Sequence, residues 1–214
     1  MDDPDSGQTL STEVLALALA ETLPFARLQS LLRVEDYEPL TAGKLYLENL
    51  HASARLWIFF NIFEILLRNA ISKHLLLIFP DQPWWIEAEV LLSKERRTVK
   101  TVRSYVESKK GEVAFGDVIG ATSLGFWTEL LSSNYHQRLW VKGLSKAFPE
   151  YKGKRRDLHT AVERLRKLRN RIAHHEPILN RDLEYDFNLL ISLIGYMEPK
   201  VSVALVENYN TARC

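Results

Sequence analysis

The chain has 214 residues, 46% of them hydrophobic and 26% charged, enough to bury a core in one large domain or two small ones. Its formal net charge of +1 excludes a uniformly basic nucleic-acid binder. The one cysteine, Cys214, excludes both a disulfide framework and a cysteine-based metal site, and points to a reducing, cytoplasmic setting.

The N-terminus, M-D-D-P-D-S-G-Q, is acidic with no basic region ahead of an apolar run, so it does not read as a signal peptide. Residues 1–10 read as a disordered leader, 11–207 as a single helical domain and 208–214 as a tail. Ser11 or Thr12 can cap a helix through Thr22, and Pro24 suits the first turn of a second, Phe25–Leu32.

From Leu40 to Phe79, apolar residues including Leu47, Leu50, Trp57, Ile58, Ile65 and Ile71 recur at three- and four-residue steps. The pattern predicts a long buried helix, stopped where Pro80 bars Phe79 from helical geometry. Its most apolar run, Leu56–Leu67, is interrupted by Asn61 and Glu64 and is too short to span a bilayer, so no membrane role is expected. Trp84-Trp85 then opens a short segment suited to base stacking or to packing a partner.

Ser93–Lys110 reads as a helix with Val99, Val102 and Val106 on one stripe and seven cations against Glu95 and Glu107. Glycines at 111, 116, 120 and 125 mark the next stretch as a loop. Further helices are expected over Phe126–Leu131 and Asn134–Ala147, the second stopped by Phe148-Pro149. Arg155–His175 places Leu158, Val162, Leu165, Leu168 and Ile172 on one helical face. Between Lys152 and Arg171, nine cations oppose only Asp157 and Glu163. Pro177 ends that helix, and an acidic one, capped near Asn180, follows over Asp182–Met197. Its Asp182, Glu184, Asp186 and Glu198, with Glu176, are placed to offset part of the basic charge. Strand-like alternation is nearly absent, so the expected fold class is all-α, an antiparallel helical bundle with additional helices.

The stretch L-R-N-R-I-A-H-H-E-P-I, Leu168–Ile178, carries the chemistry. Arginine stays charged and bonds phosphate oxygens bidentately, while histidine moves protons near neutral pH. Arg169, Asn170, His174 and His175 are therefore candidate catalytic residues for metal-free RNA cleavage by 2′-OH attack. Arg166, Lys167 and Arg171 are candidate RNA-binding residues on the same segment. No metal is expected, because adjacent histidines such as His174 and His175 point apart on a helix and no third ligand has the right spacing. Residues five apart lie about 140° apart around a helix, so joining Arg169 to His174 needs a loosened helix end or a second chain. His51, His74, His136 and His159 stand alone and read as surface or core residues.

R-N-R-I-A-H-H-E-P-I resembles the signature of the Abi-like (abortive infection) bacterial family of the HEPN superfamily, helical ribonuclease-like domains with an R-x4–6-H motif. Matching stretches run upstream: Asn49, Trp57 and Phe63–Ile71, then Leu124–Leu131, Leu139-Trp140 and Phe148-Pro149. The resemblance covers roughly residues 37–180. It implies a HEPN-like bundle and a metal-independent endoribonuclease of phage defence or of a toxin–antitoxin pair, with no cofactor. In such a protein Arg169 and Asn170 orient phosphate, and His174 or His175 handles protons. Arg68 and Asn69, in the matching R-N of F-E-I-L-L-R-N-A-I, are candidate RNA-binding residues. The partners implied are single-stranded or loop RNA, a second copy of the chain, and an antitoxin or regulatory RNA. A module that binds RNA without cleaving it, or one that meets only an acidic protein partner, is the alternative.

Overall fold

The computed structural model describes residues 6–31, 38–80 and 90–211, with side chains between residues 12 and 208 of those ranges. The fold is all-α, with no strand among the described residues. In chain order the helices are α1 (Ser6–Thr22), α2 (Phe25–Gln29), α3 (Pro39–Ile78), α4 (Ser93–Lys110), α5 (Phe115–Ala121), α6 (Leu124–Glu129), α7 (Arg155–Ala173), α8 (Leu183–Met197) and α9 (Pro199–Thr211). Between α6 and α7, short turns of tighter or wider helix occupy Ser133–Tyr135, His136–Trp140 and Leu144–Ala147.

Several expectations shift here. α1 starts at Ser6, so residues 6–10 of the expected leader are helical; residues 1–5 lie outside the described residues, as do Trp84-Trp85 and 212–214. The stretch expected as a glycine-punctuated loop contains α5. Residues 134–147 do not form one regular helix, and Gly143, at φ 126°, adopts a backbone that a regular helix excludes. α9 follows α8 after one residue, with Pro199 in its first turn, where a missing N–H costs nothing.

α3 begins at a carboxylate cap. Glu38 accepts the Leu40 and Thr41 N–H groups at 3.1 and 2.5 Å; hydrogen bonding from the Thr41 side chain first, and then from its N–H, holds the Glu38 pKa below the usual carboxylate value. Although broken at Asn61 and Glu64, α3 is by length and composition long and apolar enough to cross a membrane.

The chain divides into two compact units, residues 1–58 with 168–187 and residues 59–167 with 188–214, and the divisions fall inside α3, α7 and α8. In the first unit, α1, α2 and the start of α3 meet through small side chains. Ala20, Leu28 and Ala42 form a buried cluster against which Leu23 and Tyr46 pack. A Cβ on Gly43 would stand 2.0 Å from the Ala16 carbonyl oxygen, so glycine there lets the two backbones touch. In the second unit the α3 residues Phe59, Phe60, Phe63, Leu67, Ile71 and Leu75 are buried, as are Leu158, Val162 and Leu165 of α7 and Leu190, Leu193 and Ile194 of α8.

Candidate functional site

The first unit holds the R-N-R-I-A-H-H-E-P-I stretch, and its backbone is a defined helix stop. α7 ends at Ala173. The His175 N–H bonds the Ile172 carbonyl at 3.0 Å, and the Glu176 N–H bonds the Arg171 carbonyl at 2.8 Å. That pair of bonds closes a helix end when the residue after the cap turns left-handed, a place normally held by glycine. Here His175 takes it, at φ 56°, and Pro177 follows. His174, one residue earlier, still bonds its N–H to the Asn170 carbonyl at 3.0 Å and so keeps its helical phase. Both histidine side chains are exposed.

Two upstream residues hold this end in place. Asn49 of α3 is buried, and its side-chain oxygen accepts the Ile178 N–H at 2.7 Å. Trp57, two turns further along α3, lies beneath Arg169, with the guanidinium carbon 5.3 Å from the ring centre. Arg27 of α2 donates to the His175 carbonyl at 3.2 Å. Asn49 and Trp57 are the residues that the sequence resemblance pairs with the motif, and they touch it.

The remaining candidates divide. Asn170 is half-buried beside Arg169 on α7. Arg171 is half-buried with its Nε 3.5 Å from the Glu176 carboxylate, an acidic contact of the kind expected. Asp186 is fully buried and takes two bonds from Arg181, at 2.8 and 3.2 Å. Asp182 rather than Asn180 caps α8, accepting the Tyr185 N–H at 2.9 Å. Arg68, Asn69, Arg166 and Lys167 belong to the second unit. Arg68 donates to the Gly120 carbonyl at 3.0 Å, while Asn69 and Lys167 are exposed. Arg166 forms a two-point pair with Glu163, both bonds 2.7 Å.

That Arg166–Glu163 pair lines a cavity in the second unit, about 530 Å³. α7 contributes His159, Glu163 and Arg166; α4 contributes Lys94, Glu95 and Thr98; the start of α6 and the residues beside it supply Ser123, Phe126, Thr128 and Glu129. His159 is therefore not an isolated side chain. The available signal was the spacing His159, Glu163, Arg166, which puts all three on one helical face. Burial first, and then the charge of Arg155, push the His159 pKa below the usual imidazole value. The bonds from Arg166 do the same to Glu163 relative to an ordinary carboxylate. Among the described residues no group of three or more His, Cys, Asp or Glu side chains is arranged to hold a metal ion.

The chain matches no known protein-family model, and neither curated proteins nor solved structures include a similar one. Sequence and geometry alone therefore carry the functional argument.

Proposed function

We propose that the chain is a metal-independent endoribonuclease of HEPN type, acting on single-stranded or loop RNA in phage defence or as the toxin of a toxin–antitoxin pair. The observation that carries this is the helix end itself. Two exposed histidines sit where a basic helix stops, next to an arginine held against Trp57 and above a loop pinned by Asn49.

In this chemistry His174 takes the proton of a ribose 2′-OH, and the 2′-oxygen attacks the adjacent phosphorus. The 5′-oxygen of the next nucleotide leaves and is protonated by a second imidazole, giving a 2′,3′-cyclic phosphate and a 5′-hydroxyl. Arg169 and Asn170 orient the phosphate, and the guanidinium offsets charge on its oxygens in the transition state. Arg171, Lys167 and Arg166 draw the RNA backbone to the helix.

The helical phase of His174 bears on how many chains are needed. Because its N–H remains bonded to Asn170, Arg169 and His174 stay about 140° apart around α7. A homodimer that sets Arg169 of one chain beside His174 of the other resolves that separation.

The test is incubation of the purified protein with RNA in excess EDTA, with the product ends identified. Cyclic-phosphate ends are expected from the unaltered protein, and a loss of at least about 100-fold in Arg169→Ala and His174→Ala. Cleavage unaltered in both variants would refute the proposal. Salt-sensitive RNA binding without cleavage, abolished by charge reversal at Arg155, Arg156 and Arg166, would favour the non-catalytic alternative.

A further inference from the structure

The cavity of the second unit shares only Arg166 with that reading, and its lining is unbalanced. At about 530 Å³ it falls within the roughly 300–1,000 Å³ typical of small-molecule sites. Three carboxylates, Glu95, Glu129 and Glu163, face two cations, Lys94 and Arg166. Glu163 and Arg166 satisfy one another through both their bonds. Lys94 is exposed, and among the described residues it forms no ion pair. Among the described residues the hydrogen-bond partners of Glu95 and Glu129 are neutral.

Glu95 is 4% exposed, and its hydrogen bond comes from the Tyr135 hydroxyl at 2.8 Å. Burial and the neighbouring Glu95 keep that hydroxyl protonated well above its ordinary range, so Tyr135 remains a neutral donor. Glu129 receives Ser132 Oγ at 2.8 Å and Asn134 Nδ2 at 3.3 Å, both on the same oxygen, leaving its other oxygen unused. For a carboxylate as buried as Glu95, lacking a cation in hydrogen-bond contact is costly, and a positive group entering the cavity relieves that cost.

Two hydroxyls of the wall have their protons engaged elsewhere. The Thr98 and Thr128 hydroxyls spend their protons on the Lys94 and Leu124 carbonyls, at 3.2 and 2.9 Å. Burial, and then the charge of Arg155, lower the His159 pKa and so disfavour its charged form. The carboxylates are not grouped as metal ligands. Phe126 adds an aromatic surface of the kind that attracts organic cations.

We infer that this cavity binds a small organic cation rich in N–H donors, of diamine or guanidino type, held by Glu95 and the unused oxygen of Glu129. Diamines and guanidino compounds share that chemistry and differ in which of them fits best.

Isothermal titration calorimetry on the full chain tests this, with putrescine and agmatine as probes and 1,4-butanediol as a neutral control of putrescine's length. Saturable binding of at least one amine is expected, with none for the diol and none lost when potassium chloride matches the ionic strength. Binding of agmatine alone assigns the guanidino class, and of putrescine alone the diamine class. Glu129→Gln keeps an oxygen for Ser132 and is expected to weaken binding at least tenfold. Glu95→Gln disturbs the Tyr135 bond, so its effect counts only if its circular dichroism and unfolding midpoint match the unaltered protein. No saturable binding of either amine, equal binding of the diol, or undiminished affinity in Glu129→Gln overturns the inference. Arg169→Ala, which is not among the lining residues, is expected to bind the amine unchanged whether or not it cleaves RNA.

Discussion

His175 occupies a left-handed backbone position that favours glycine by about 1 kcal/mol or more. A histidine kept there is either tolerated or used, and His175→Gly separates the two. The substitution relieves the strain and preserves both closing hydrogen bonds, so the urea midpoint is expected to rise, by about 1 kcal/mol in unfolding free energy. With His174 as the principal proton-transfer group, RNA cleavage in His175→Gly should fall by less than about tenfold; a drop of 100-fold or more assigns the second proton transfer to His175. In the other unit, His159 and Glu163 both have pKa values lowered by folding, through burial and through Arg166 respectively. In each case the unfolded chain binds the proton more readily, so stability is fully present above the unfolded pKa and is lost as pH falls through the folded value. The His159 contribution is present above its ordinary 6.5 and is lost below it; the Glu163 contribution disappears below its ordinary 4.5. Urea midpoints from pH 7.5 to 4 should therefore decline in two stages, and His159→Gln should flatten the first. A midpoint that holds constant between pH 7 and 5 in the unaltered protein contradicts this.

At the scale of elements, α3 acts on the motif through two side chains two turns apart. Asn49→Ala leaves the buried Ile178 N–H without its acceptor, at about 1–3 kcal/mol, and frees the loop that carries His174 and His175. Equilibrium unfolding should show that loss, and RNA cleavage should fall with it; a variant of unaltered stability would mean that Ile178 finds another partner. Gly43→Ala drives a methyl into the Ala16 carbonyl, where no flexible side chain can yield, and is expected to cost about 1–3 kcal/mol. Much of this architecture was legible beforehand. Ser93–Lys110 matches its expected span, because a valine stripe among cations has one helical solution. The single-chain pattern misled where a local signal had two meanings. Gly116 and Gly120 read as loop residues yet lie in α5. His159 was judged alone because Glu95 and Glu129, which share its cavity, are 64 and 30 residues away in sequence, and no periodicity links them. Asn49 and Trp57 were visible only as companions of the motif; what they do there, one accepting Ile178 and one supporting Arg169, required coordinates.

At the scale of the whole molecule, a site built from two chains has a property that a site within one chain lacks: two defective copies can repair one another. In a symmetric homodimer each chain supplies Arg169 to one site and His174 to the other. Pairing an Arg169→Ala chain with a His174→Ala chain destroys one site, which receives both lesions, and leaves the second with its arginine and its histidine intact. If Arg169 and His174 instead act within one chain, every site in the mixed dimer carries a lesion. The two variants, each inactive alone, are expected to regain cyclic-phosphate-forming activity when unfolded together and refolded as a mixture. Restoration must follow dimer content measured by light scattering, since monomeric chains cannot exchange partners. A mixed dimer that forms and stays inactive confines the chemistry to a single chain. His175, free of the helical phase that constrains His174, would then be the histidine placed to meet Arg169.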